Sequence, residues 1–215
     1  AFVNGRFYFV GGSVPPFNLA TDRIDSFDIF GDPDPLTLPI ASGTATVLGI
    51  NDLLMVCGGF NLLPSTSGRY ASLIQIFDTV SDQWSNHPIP FVQAGGDATD
   101  RWLVVAGNDS IIPGNGAIEV YDGQNETWRG ASGLFLPLRP ELVVVDDAAY
   151  LFSTSRMDSF GLRIDLLDLS SEQILLPQDR ELPDLAVADH VICRANGAVF
   201  QGSGLIRTAD VYDTL

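Results

Sequence analysis

The sequence contains no lysine; all eleven basic residues are arginine. It has only two histidines and two cysteines in 215 residues, and no apolar run approaches the roughly 20 residues that a membrane-spanning helix needs. No segment holds its apolar residues at a 3.6-residue period for three turns, which excludes a helical bundle. The histidines, His87 and His190, lie about one hundred residues apart, so a nitrogen-rich zinc or copper site is not expected. Cys57 and Cys193 allow at most one disulfide, but both sit in apolar strand-like runs, where an inert buried thiol is the commoner state. Positive charge is scarce as well. Eleven basic against 27 acidic side chains give a net charge of -16, which opposes phosphate backbones and anionic bilayers, so neither nucleic acid nor a membrane surface is an expected partner. The start, A-F-V-N-G-R, has no initiator Met and no signal-peptide layout, and reads as a processed end or a boundary within something longer.

What the chain does have is 46% hydrophobic residues, enough for a sizeable core, together with 21 glycines and 22 aspartates. That mixture favours turn-rich β structure over long helices. A period near 47 residues organises it. Five apolar runs approach a pair of small residues: F-Y-F-V-G-G ends at Gly12, L-M-V-C-G-G at Gly59, W-L-V-V-A-G-N at Asn108, A-Y-L-F-S-T at Thr154 and A-V-F-Q-G-S at Ser203. Each follows a candidate tight turn, at Asn4-Gly5, Asn51-Asp52, Thr99-Asp100, Asp146-Asp147 and Asn196-Gly197. A second series ends at Asp28, Asp78, Asp122, Asp168 and Asp213, where an aspartate can accept hydrogen bonds from the amides of the turn that follows. Trp84 and Trp128 stand six residues beyond Asp78 and Asp122, Ile174 stands at that offset in the fourth unit, and Leu36 lies near it in the first.

Each unit is expected to form four short strands: an inner one such as T-A-T-V-L, the glycine-ended one, the Asp-ended one and a last one carrying Trp or Leu. A single such sheet cannot bury both faces, whereas radial repetition lets each stack on the next, which predicts a β-propeller. The residues resemble the kelch family of propellers, whose repeat has a Gly-Gly strand end, an aromatic-Asp pair and a Trp. Gly11, Gly12, Gly58 and Gly59 match the doublet; Phe27, Phe77, Tyr121 and Tyr212 the aromatic; Trp84 and Trp128 the Trp. The pattern departs at Ala106-Gly107, Ser153-Thr154, Gly202-Ser203 and Leu167. The expected fold is therefore all-β, a kelch-like propeller in one domain, with units at about 1–40, 41–88, 89–135, 136–184 and 185–215. Five blades are favoured, the last lacking its outer strand; the alternative is a further segment or second polypeptide pairing with that open edge, a route to oligomers.

Propeller function usually sits in loops at one end of the ring or in the central channel. The loops after the glycine-ended strands supply the candidate binding residues Phe17, Arg23, Leu63, Arg69, Tyr70, Ile112, Arg156, Met157, Phe160 and Arg207. Apolar anchors interleaved with guanidiniums suit a protein partner or an anionic small ligand bearing carboxylate or sulfate groups. The competing reading is loops folded over the blades and arginines neutralised nearby, as Arg23 by Asp22 or Asp25. Calcium is an alternative cofactor through Asp32 and Asp34, Asp97 and Asp100, or Asp146 and Asp147, although turn formation explains the same residues.

The family resemblance also implies an enzyme alternative, since kelch-like propellers include sialic-acid mutarotases and copper-radical oxidases. In the first, Arg207 or Arg69 would bind a carboxylate and Glu141 would transfer protons. The second calls for two ligand histidines with tyrosines and a cross-linked Cys, whose placement is not recognisable. No G-x-S-x-G elbow occurs, and no catalytic residue is assigned. Asn108-Asp109-Ser110 and Asn125-Glu126-Thr127 are glycosylation acceptors which, with the missing lysine, favour an extracellular or secreted glycoprotein.

Overall fold

A computed structural model describes the backbone at residues 1–14, 19–43, 45–61, 69–70, 72–91, 93–108, 116–136, 140–153, 160–175, 184–188, 191–195, 199–201, 204–206 and 210–213. Every regular element among them is a strand, and none is a helix able to cross a membrane. The first sheet contains β1 (Phe2–Val3) and β2 (Arg6–Val10), then, past a small hairpin of β3 (Ser13–Val14) and β4 (Leu19–Ala20), β5 (Arg23–Asp28) and β6 (Leu36–Thr37). The second contains β7 (Thr46–Ile50), β8 (Leu53–Cys57), β11 (Leu73–Asp78) and β12 (Gln83–Pro88), with β9 (Phe60–Asn61) and β10 (Arg69–Tyr70) as its hairpin. The third runs β13 (Gln93–Ala98), β14 (Trp102–Asn108), β15 (Gly116–Asp122) and β16 (Thr127–Leu134). The fourth runs β17 (Pro140–Val145), β18 (Ala148–Ser153), β19 (Phe160–Asp165) and β20 (Ser171–Leu175). The fifth pairs β21 (Asp184–Ala188), β22 (Val191–Ala195) and β25 (Asp210–Asp213), with a hairpin of β23 (Val199–Gln201) and β24 (Gly204–Ile206).

Among the described strands every pairing is antiparallel, and the inner strands β1, β7, β13, β17 and β21 lie beside one another in that order. Among the described residues, three apolar layers run between neighbouring sheets, and a fourth cluster of Val145, Ala148, Tyr150 and Phe152 lies on the fourth sheet. Val3, Tyr8 and Ile24 of the first sheet meet Leu54, Val56 and Phe77 of the second. Met55, Cys57 and Ile74 meet Leu103, Val105 and Tyr121. Trp102, Val104, Ile118 and Val120 meet Ala149, Leu151 and Ile164. Alternation along each strand therefore fills both faces of the middle sheets, and the linkers between sheets plug the layers with Leu38, Phe91 and Leu136. The architecture is an all-β propeller, with sheet after sheet stacked radially.

The glycine doublets serve a close approach. Gly11 and Gly59 have φ of +69° and +96°, and a Cβ on either would overlap Ser42, a buried residue of the linker between the first two sheets. Ser42 donates its hydroxyl to the Gly58 carbonyl at 2.9 Å and accepts the Gly12 amide at 3.3 Å. Gln75, also buried, grips the same linker by exchanging two hydrogen bonds with the Ile40 backbone.

Register corrects the repeat in three places. In the first three sheets the turn aspartates lie opposite the first residue of the second strand, as Arg6↔Asp28, Leu53↔Asp78 and Trp102↔Asp122. In the fourth sheet that partner of Ala148 is Asp165, not Asp168, so the aromatic place belongs to Ile164 rather than Leu167. The Trp place follows: Ser171 lies opposite Ile164, whereas Ile174 lies opposite Gly161. In the first sheet Pro33 bridges to Phe27, and Leu36 pairs with Ile24 instead. In the fifth, Val191–Arg194 pairs with Asp210–Asp213, while Val199–Gln201 of the expected glycine-ended strand joins the β23–β24 hairpin. The β-branched pair Val191-Ile192 suits a central strand well. Cys57 is a free, buried thiol whose pKa burial pushes far up, which leaves it inert.

Candidate functional site

A four-strand antiparallel meander separates its connections by end. The turns between first and second strands and between third and fourth lie at one end; those between second and third strands lie at the other, with the linkers. The first end is closed by turns that largely satisfy their own polar groups, the longest of them between β5 and β6. Asn4 and Gly5 take positive φ in a two-residue hairpin, as do Asn51 and Asp146 in theirs. Thr99-Asp100 differs: no residue there adopts positive φ, and the turn is held by Thr99 donating its amide to the Trp102 carbonyl at 2.8 Å.

The third-to-fourth turns share one device. Asp28 accepts the amides of Phe30 and Asp32, Asp78 those of Val80 and Ser81, Asp122 those of Gln124 and Asn125, and Asp165 that of Leu167. The amide of Asp32 is the main cause that holds the Asp28 carboxyl below its ordinary pKa, and the Ser81 hydroxyl does the same for Asp78. For Asp122 burial pushes upward, but the Asn125 side chain, two amides and Arg101 outweigh it and the net direction is down. These carboxylates are occupied by their own turns. The same geometry leaves Phe30, Val80 and Leu167 projecting as exposed tips.

The opposite end carries the candidate recognition loops. Phe17, Leu63, Ile112, Arg156, Met157 and Arg207 lie outside the described residues. Arg69 and Tyr70 form β10, across from Asn61 and Phe60, and Phe160 opens β19. Strand β4 lies beside β9, so the small hairpins of the first two sheets form one rim. Arg23 stands at the start of β5, highly exposed, and is bound to Asp25 at 2.6 Å, which is the neutralised arrangement. Arg163 is likewise engaged, by the Tyr150 side chain and by Glu172 at 3.9 Å.

Of the glycosylation acceptors, Asn108 is half-buried at the end of β14, whereas Asn125 is exposed and donates its side-chain amide to Asp122 at 2.8 Å. Among the calcium candidates, Asp97 accepts the Ala98 and Val144 amides, and Asp147 accepts Arg101 and the Trp102 indole. Among the described residues no group of three or more His, Cys, Asp or Glu is arranged to hold a metal ion. Glu141 is exposed on β17.

One cluster escaped the sequence. His87 of β12 stacks on Trp128 of β16, with ring centroids 4.1 Å apart and planes within 9°, and its Nε2 lies 3.4 Å from Glu119 Oε2 of β15. Gly130 leaves room for that carboxylate, since a Cβ there would stand 2.6 Å from Oε1. Burial raises the Glu119 pKa, and His87 only partly offsets it. The pair joins the second sheet to the third. Alternation puts Glu119 on the same face as Tyr121, and that is the one signal in the sequence that could have indicated the contact.

No protein-family model matches the chain, and no curated protein matches it. A solved structure described as "Structure of YjhT" is similar, with a TM-score of 0.63 and 13% sequence identity over 99% of this chain and 80% of that one. At that identity the likeness concerns the fold alone, and the fold is the propeller described above.

Proposed function

We propose that the chain is a kelch-like recognition module that binds a protein or an extracellular ligand through the loop end of the propeller, apolar residues anchoring contact and arginines reading an anionic group. The observation that carries this reading is the asymmetry of the two ends. The three longest connections within sheets, between β2 and β5, β8 and β11, and β22 and β25, lie at one end, while the turn carboxylates of the other are already bonded. Among the described residues the carboxylate raised by burial is Glu119, and it faces His87 rather than an arginine, which supports binding over proton transfer beside a bound sugar acid.

The test is an array of carboxylated and sulfated saccharides and acidic peptides probed with the protein, followed by titration of the best binder. Replacing Arg69 and Arg207 together with alanine should weaken that affinity about tenfold or more, as expected when charge-assisted bonds are lost, and leave the unfolding midpoint in place. Unchanged affinity would remove the arginines from the role.

A further inference from the structure

Among the described residues, exposed phenylalanines gather on one face of the first sheet. Phe2, Phe7 and Phe9 are 54%, 47% and 64% exposed, and beside them Phe27 is half-buried. Phe2 and Phe7 sit opposite each other on β1 and β2, with ring centroids 4.8 Å apart, and Phe9 meets Phe27 edge-on at 6.3 Å. Scattered exposed phenylalanines need no explanation, but three on one sheet face with a half-buried fourth beside them do.

Register supplies one. Phe7 lies opposite Phe27; the matching pairs in the next sheets are Leu54 with Phe77, Leu103 with Tyr121, and Ala149 with Ile164. The position of Phe9 is held there by Val56, Val105 and Leu151. All nine of these counterparts are buried, each against the sheet that precedes its own. The phenylalanines therefore occupy the positions that a preceding sheet covers, and they are larger than most of their counterparts.

We infer that this face is the seat of a further sheet of the same repeat, lying outside residues 1–215 and stacked between the fifth sheet and the first. Its chemistry is set by what the other layers present to these positions: an aliphatic face such as Met55, Cys57 and Ile74, or Val104, Ile118 and Val120. Along the backbone register, Cys193 and Val211 of the fifth sheet hold the places of Val104 and Val120 of the third. The similar solved chain extends beyond the matched region by a fifth of its length, which is about one repeat. A second copy of this chain is a poorer occupant, since each copy brings a charge of -16.

Hydrogen exchange on the unmodified chain, with its mass measured by sedimentation, gives the first test. A monomer whose β2 amides exchange at least tenfold faster than those of β8 is expected. Maleimide labelling of Phe9→Cys in a Cys193→Ser background gives the second: the thiol should react freely in the 215-residue chain. It should be protected at least tenfold when a copy of residues 89–135 is joined ahead of Ala1. A β2 strand as protected as β8 in the monomer would mean that the fifth sheet covers the face. Protection that grows with concentration would mean a second copy. A thiol still reactive in a folded, extended chain would mean that no sheet seats there, and each of these three results overturns the inference.

Discussion

Single residues here act mainly by what they leave room for. Gly5 and Gly59 both have positive φ, yet a Cβ on Gly5 would meet nothing within 4 Å, whereas on Gly59 it would run into Ser42 and the Gly43 carbonyl. Gly5→Ala should therefore cost only the left-handed strain, about 1 kcal/mol, and Gly59→Ala that strain plus overpacking, about 2–4 kcal/mol. Urea unfolding of the two variants measures the difference; equal losses would mean that the Ser42 contact is unimportant. Glu119 is the opposite case, a charge in a space too dry for it. Because its folded pKa is raised, the folded state holds that proton more tightly than the unfolded state, and ionising Glu119 costs stability once pH exceeds its unfolded pKa of about 4.3. Glu119→Gln keeps an acceptor for His87 and should raise the unfolding midpoint at pH 7 but not at pH 4. A midpoint that falls at pH 7 would show that the charged pair stabilises the fold.

Between elements, the third and fourth sheets are joined by more than their apolar layer. The Trp102 indole donates to Asp147 at 2.8 Å, and its ring lies 4.2 Å from the Arg101 guanidinium and 5.4 Å from that of Arg129, which reaches the Leu166 and Leu167 carbonyls. Trp102→Phe retains most of the buried area and loses the indole bond and part of the cation attraction, so a loss of about 1–3 kcal/mol is expected. In an Asp147→Asn background the same substitution should cost less, and a double-mutant cycle reads that coupling. Little of this network was visible in sequence, because it joins residues 45 apart through side-chain directions that a period does not encode. The period did carry the sheets themselves, since glycine pairs and turn aspartates recur wherever backbone geometry repeats. It misplaced the fourth unit because Ile164-Asp165 and Leu167-Asp168 offer the same apolar-Asp pattern. What separates them is depth: Leu166 is fully buried after Asp165, while Leu167 is exposed. The candidate loops were legible only as composition, apolar residues and arginines without a recurring backbone constraint.

For the whole molecule, charge and turn chemistry pull in different directions with pH. At pH 7 the excess of 27 acids over eleven arginines repels itself, and added salt should relieve it, because the screening length falls from about 30 Å at 0.01 M to near 3 Å at 1 M. The thermal midpoint should therefore rise between 0.02 and 0.5 M NaCl. Acidification relieves the same repulsion as the net charge approaches zero near pH 4.1. The aspartates oppose further descent. Asp28, Asp78, Asp122 and Asp168 have folded pKa values below the ordinary one, so what they contribute is fully present above the unfolded value of about 3.9 and disappears as pH falls through the folded values. Stability should accordingly be held or slightly increased from pH 7 to about 4.5, then drop steeply below about pH 3.8 as the turns lose their carboxylates. Thermal melts across pH 2.5–8 at low and high salt test both halves. A midpoint that falls with salt at pH 7 would remove self-repulsion from the account, and unchanged stability at pH 3 would remove the turn aspartates.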